Sequence, residues 1–322
     1  MKSVTQLEHL LEGYRLCCVA EGKSPATIRW YMGKLRIFKR YLEDNGFPTD
    51  VSRITTGHIR AFLAHLRSDV KADENNPNKP IRDQPLSPRT IQGYARTLKA
   101  FYSWLHREGY IDDNPMKLVK IPKASKIIVE TLTEGQIRRL LNTIDCTTPL
   151  GFRDRCIILI LLDTGIRLSE LAGLTIHDVD LERGELKVMG KGQKQRLVPI
   201  GASVQKALWK YLNKYRPDPP YPSIDSLFLN RMSMPMSPDS IYRMIKRRGE
   251  EAGIQGVRCS PHTLRHTFAK NFLLNGGDVF TLQKILGHTS LEVVRMYVNL
   301  VSDDILRQHR KYSPVDMMGL KP

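Results

Sequence analysis

Apolar residues recur every third or fourth position along the first third of the chain, the spacing of amphipathic helices. Leu7, Leu10, Leu11, Tyr14 and Leu16 form such a stripe in a first helix. Ser24-Pro25-Ala26-Thr27 opens a second as cap plus proline, with Ile28, Tyr31, Leu35, Phe38 and Leu42 facing a core until Gly46 and Pro48 end it. Thr55 to Leu66 predicts a third helix, and Ser87-Pro88-Arg89-Thr90 opens a fourth through Tyr94, Leu98, Phe101 and Leu105. Residues 70–86 are polar, proline-rich and without period, and so predict a long loop inside this first domain.

Asn114-Pro115 and the basic, patternless Ile121-Pro122-Lys123-Ala124-Ser125-Lys126 mark a boundary. It divides a helical domain at 1–120 from a second domain at 131–322, with 121–130 as linker. In the second domain Thr133 caps a helix through Leu140 and Leu141. Arg153 to Thr164 contains the run Cys156-Ile157-Ile158-Leu159-Ile160-Leu161-Leu162, apolar on most faces and therefore buried, and Gly165 breaks it. The clear β signal follows: Val179-Asp180-Leu181, Leu186–Met189 and Arg196–Ile200, with a glycine-flanked tip at Gly190-Lys191-Gly192-Gln193-Lys194. Then come a helix at 202–215, a short edge segment at 227–229, and a helix from Ser237 to Gly253 with Tyr242, Arg243, Lys246, Arg247 and Arg248 exposed. Ser260 and Pro261 start another helix, placing His262 and Arg265 one turn apart on one face. The fold class is mainly α with a small antiparallel sheet in the second domain, that is, α+β.

Composition adds a partner. The 322 residues carry 50 Lys+Arg against 33 Asp+Glu, a formal charge of +17, which points to a polyanion. Charge alone leaves DNA, RNA and membrane surface open. The five cysteines form no C-x-x-C pair and no zinc-like cluster with histidine, so no metal and no cofactor are expected. Met1 to Tyr14 is polar, and Ile157–Leu162 is too short to cross a bilayer; a soluble cytoplasmic protein is the expectation.

His262 and Arg265 together suit an anionic oxygen, since Arg keeps its charge and offers a fork of donors matched to phosphate. Arg167, directly beyond the buried helix, is either paired structurally, with Glu170 as partner, or held rigid for a ligand. Thr164-Gly165-Ile166-Arg167-Leu168-Ser169-Glu170-Leu171, the lysine-bearing tip at 190–194, Pro261-His262-Thr263-Leu264-Arg265-His266, Leu286-Gly287-His288 and Tyr297 occur in that order. Together they resemble the tyrosine recombinase (phage integrase) family, and most closely its Xer-like members, over essentially the whole chain.

The resemblance implies a two-domain C-shaped clamp on double-stranded DNA, built from a helical SAM-like core-binding domain and a catalytic domain. It also implies a homotetramer, or paired recombinases, on two synapsed sites. Arg167 and Arg265 would hold the non-bridging phosphate oxygens, and His262 and His288 would donate hydrogen bonds and assist proton transfer. Tyr297 would attack to give a 3′-phosphotyrosyl bond, while Lys191 would protonate the leaving 5′-oxygen. Lys194 is the rival for the lysine, His266 for the first histidine, and Tyr242 and Tyr312 for the nucleophile. Lys39, Arg40, Arg89 and Arg96 in the first domain, and Arg243 and Lys246 in the second, are the expected phosphate contacts. The apolar Val315, Met317, Met318 and Leu320 of the tail would pack on their own domain or on a neighbouring subunit. A DNA-relaxing type IB topoisomerase and a catalytically silent DNA binder are the alternative functions. The 70–86 loop departs from the compact family pattern.

Charge reversal at Lys39, Arg40 and Arg96 is expected to weaken DNA binding and to flatten its salt dependence by about one unit of slope for each phosphate no longer neutralised. Titrations at several salt concentrations measure both. An unchanged slope would remove these side chains from the interface.

Overall fold

The computed structural model describes residues 5–72, 74, 82–121, 130–190, 194–287, 313 and 317–318. The chain divides into two compact units, Met1–Ile127 and Ile128–Pro322.

The first unit is built on α1 (Leu7–Ala20), α2 (Pro25–Asp44), α3 (Thr56–Ser68) and α4 (Pro88–Arg107). Ser24 and Ser87 begin α2 and α4 as expected: each hydroxyl accepts the backbone N–H three residues on, with proline at the first helical position. Thr55 caps α3, and the His58 ring completes the box in place of a carboxamide. Leu35, Phe38, Ile59, Phe62, Leu66, Leu98 and Phe101 are almost fully buried between the helices. Each contributes about 1.5–3 kcal/mol through the area it removes from water.

Two expectations are corrected in this unit. Leu16 is 55% exposed, and Cys18, fully buried, takes its place, because the 3.6-residue period turns position 16 outward after Tyr14. The ends of the 70–86 segment are not simple loop either: β1 (Lys71–Ala72) and β2 (Arg82–Pro85) pair antiparallel, with Lys71 opposite Pro85.

In the second unit α6 (Pro149–Thr164) is central, with Ile157, Ile158, Ile160 and Leu161 at 0% exposure. Around it lie α5 (Glu134–Asn142), α7 (Leu168–Ala172), α8 (Ala202–Lys210) running into a π-helical turn at Tyr211–Tyr215, and α9 (Pro238–Glu251). Helices α10 (Pro261–Leu274) and α11 (Val279–Leu286) complete it, α10 packing on α6. Strands β3 (Val179–Asp180), β4 (Glu185–Met189) and β5 (Gln195–Pro199) form one antiparallel sheet in the order β3-β4-β5. Leu186 and Val188 point into the core, alternating with the outward Lys187 and Met189.

Arg248 is corrected as well. It is not a solvated cation: its side chain is 16% exposed and donates to the buried Asp154 carboxylate at 3.1 Å, which also accepts from Arg153. A carboxylate this buried is costly without charged donors, and the last turns of α9 supply one.

Gly165 ends α6 in the left-handed region (φ 58°), where a Cβ would stand 2.4 Å from Phe268 Cδ1 and 2.9 Å from Leu286 Cδ2. Gly165→Ala is expected to cost about 2–4 kcal/mol, from left-handed strain plus overpacking. Gly22→Ala, with a similar φ of 69° and nothing within 4 Å, should show only the strain, about 1–2 kcal/mol. Urea denaturation of the two variants measures the difference.

Candidate active site

The end of α6 hands the chain to Arg167, which caps α7 in extended conformation. Glu170, at the third helical position, closes a box around it: Oε2 accepts the Arg167 backbone N–H at 2.7 Å and Oε1 accepts Nη1 at 2.8 Å. The Glu170 side chain is 2% exposed while that of Arg167 is 34% exposed. Arg167 is thus paired structurally with Glu170, the first of its two alternatives, while part of its side chain remains exposed.

Arg265 comes from α10, whose start is fixed by Ser260, which accepts the Thr263 N–H at 3.2 Å, and by Pro261. Arg265 is 5% exposed, donating Nη1 to Gly165 O and Nη2 to Leu286 O, the latter at 2.8 Å. Arg167 Nη2 donates to Gly287 O at 3.2 Å. Both guanidiniums thus end on one turn, Leu286–Gly287, immediately before His288. His262 lies on the exposed side of the same helix, so the shared face with Arg265 is an edge rather than a plane.

Arg196, on β5, was not among the sequence candidates. Its Nη1 and Nη2 each donate to a Glu170 oxygen at 2.9 Å, and its Nε donates to Ile285 O at 2.9 Å. The alternation that buries Val198 puts Arg196 on the same inward face, and that was the available signal. Gly287, in the left-handed region at φ 61°, leaves the room this guanidinium needs: a Cβ there would be 3.0 Å from Arg196 Cζ.

Burial alone would raise the Glu170 pKa, but the hydrogen bonds from Arg196 and then Arg167 outweigh it and hold the carboxyl below the usual glutamate value. His266, half-buried one residue beyond Arg265, is pushed down to about 4, first by burial and then by the nearby His262 and Arg265. It is a neutral imidazole at pH 7.

Lys191, His288, Tyr297 and the rival Tyr312 lie outside the described residues, as do Val315 and Leu320 of the tail; Met317 and Met318 are exposed. Of the other rivals, Lys194 is exposed and its carbonyl accepts the Gly190 N–H at 2.8 Å, while Tyr242 has its hydroxyl taken by Arg258, which also lies over its ring. Among the described residues no group of histidine, cysteine, aspartate and glutamate could hold a metal ion, and no helix is long and apolar enough to cross a membrane.

The expected phosphate contacts divide by their pairing. Arg40, Arg89 and Arg96 are exposed and form no ion pair among the described residues. Lys39 is engaged by Glu8 and by Glu43, Arg243 by Asp239, and Lys246 by Glu250 at 3.2 Å. Beside them Lys34 sits over Tyr94 at 3.9 Å and Trp30 at 5.0 Å, a cation–π stack that the charge pattern alone does not reveal.

Residues 130–303 match the phage integrase family, and residues 14–73 match the phage integrase N-terminal SAM-like domain. The tyrosine recombinase XerC of Oceanobacillus iheyensis is 32% identical over 299 residues, covering 92% of this chain and 92% of the relative. The tyrosine recombinase XerD of Staphylococcus aureus is 31% identical over 310 residues, covering 96% and 99%. Among solved structures, the XerH site-specific recombinase in a post-cleavage complex with a palindromic difH substrate shares the fold, with a TM-score of 0.70, 23% identity and coverage of 94% and 84%. So does a lambda integrase dimer bound to a COC' core site, with a TM-score of 0.69, 20% identity and coverage of 92% and 78%. The chain belongs to the phage integrase family. It is a tyrosine-type site-specific recombinase, an enzyme that cuts and rejoins DNA strands, and the relaxing-topoisomerase and silent-binder readings are not favoured.

The pKa shifts fix how acid acts on the fold. His266 takes up a proton near 6.5 when unfolded and near 4 when folded, so the unfolded chain protonates first and stability falls as the pH drops through that window. Glu170, with its folded pKa below the ordinary 4.5, contributes fully above that value and loses its contribution as the pH falls further. Thermal melts from pH 7 downward should show both losses, with His266→Gln flattening the upper window. Glu170→Gln should flatten the lower one and cost about 3–5 kcal/mol at neutral pH, because two guanidiniums lose their carboxylate.

Proposed function

We propose that Arg167, Arg265, His262, His288, Lys191 and Tyr297 form the catalytic set of this recombinase. The observation that carries the reading is the convergence of Arg167 and Arg265 on the Leu286–Gly287 turn, which puts two permanent cations beside the residue that precedes the tail bearing Tyr297. Two forks placed beforehand match the extra charge of a pentavalent phosphorane, and they need no reorganisation as that charge grows. In this reading the Tyr297 oxygen attacks the phosphorus and gives up its proton, with His262 or His288 assisting. The bond to the 5′-oxygen breaks, and Lys191 supplies that oxygen's proton. The 3′-phosphotyrosyl ester keeps the bond energy for rejoining. His266, half-buried and neutral at pH 7, is in this reading the poorer phosphate ligand of the two histidines.

In the same reading the domain division is 1–120, 121–130 and 131–322, with Arg40, Arg89 and Arg96 as phosphate contacts of the first domain. Lys39, Arg243 and Lys246 would reach phosphate only by exchanging their present carboxylates. The natural assembly is a tetramer, or a pair of recombinases, on two synapsed duplexes in the cytoplasm, serving integration, excision or dimer resolution. Similarity to the tyrosine recombinases XerC and XerD over more than nine-tenths of the chain supports the recombinase chemistry of this reading.

Wild type and Tyr297→Phe incubated with nicked suicide duplexes from the DNA flanking the gene provide the test. A covalent protein–DNA band is expected for wild type alone. A band that persists in Tyr297→Phe would transfer the nucleophile to another residue.

A further inference from the structure

Arg196 has no part in the catalytic set, yet it is tied to three of its segments. Its two terminal nitrogens grip Glu170, the carboxylate beneath Arg167, and its Nε grips Ile285 O at the end of α11. On the hairpin it lies close to the tip, and Gly190, which precedes Lys191, packs against it. A Cβ at Gly190 would stand 3.3 Å from Arg196 Nη1 and 3.7 Å from Glu170 Oε1. The Gly190 N–H to Lys194 O bond closes the tip just beyond.

We infer that Arg196 is a positioning residue: by clamping β5 to Glu170 and to the end of α11, it sets the hairpin-tip lysine at the leaving oxygen. This rests on the reading of Lys191, or its rival Lys194, as the proton donor. Proton delivery requires the lysine's ammonium in one place, and glycine, which stands on both sides of Lys191 in the sequence, restrains a backbone least. A guanidinium fork on a buried carboxylate fixes angle as well as distance, and its third bond fixes the strand against α11. A role limited to neutralising Glu170 would need only charge, which lysine also supplies.

The test compares wild type, Arg196→Gln, Arg196→Lys, Lys191→Ala and Lys194→Ala on two suicide duplexes that differ only in sulfur replacing the bridging 5′-oxygen. A thiol, with a pKa near 8.5, departs as thiolate without a proton, so loss of a proton donor should scarcely matter there. Arg196→Gln is expected to bind DNA as wild type does and to cleave the ordinary duplex roughly 100-fold more slowly, the scale of a misplacement of about 1 Å. On the sulfur duplex it should recover to within about fivefold of wild type, since acid catalysis is no longer required. Arg196→Lys keeps a cation on Glu170 and so protects the fold; it should show a smaller defect that sulfur also erases.

If sulfur restores a lysine variant but neither Arg196 variant, the positioning role is overturned. Loss of DNA binding in parallel with cleavage in both Arg196 variants would overturn it too, marking a merely structural residue. If sulfur restores neither lysine variant, the proton-donor reading itself fails, and the inference fails with it.

Discussion

One buried carboxylate, Glu170, ties the start of α7 to β5 in the second unit. Placing an ion at 2% exposure is costly unless charged donors meet it, and Arg167 and Arg196 meet it from two different stretches of the chain. One negative charge between two guanidiniums leaves the cluster net positive. The surplus faces the turn at which Arg265 also ends, so the same arrangement that stabilises the fold leaves a field suited to phosphate.

In the first unit the excess positive charge is distributed differently. Lys39 is neutralised by Glu8 and Glu43, and Lys34 is set between two rings, where burial lowers its pKa. These groups hold helices together. Arg40, Arg89 and Arg96, exposed and outside such pairs among the described residues, are among those with charge to spare for a partner. Net charge thus overstates the binding surface, because part of it is spent inside the fold.

The helices and the three-stranded sheet were legible because their signals are local: serine–proline starts, a glycine stop at Gly165, and alternation along β4 and β5. Arg167, His262 and Arg265 were legible as motif residues. Arg196 was not, since its importance comes from Glu170 and Ile285, which no local pattern connects to it. Arg248 was misread for the same reason: a basic helix face looks solvated until the buried Asp154 across from it is known. The pairing of β1 with β2 was hidden by the proline-rich text between them, which says little about how its two ends meet.

Gly287 carries no functional group, yet it meets Arg167 through its carbonyl and Arg196 through the space its missing side chain leaves. Its left-handed backbone disfavours most other residues, and a methyl group there would stand 3.0 Å from Arg196 Cζ, so the guanidinium would have to give way. A single codon change at this position would therefore disturb Arg167 and Arg196 while leaving every side chain of the proposed catalytic set in the gene. Inactive descendants of such a recombinase could keep the whole proposed set and betray their silence only at this glycine.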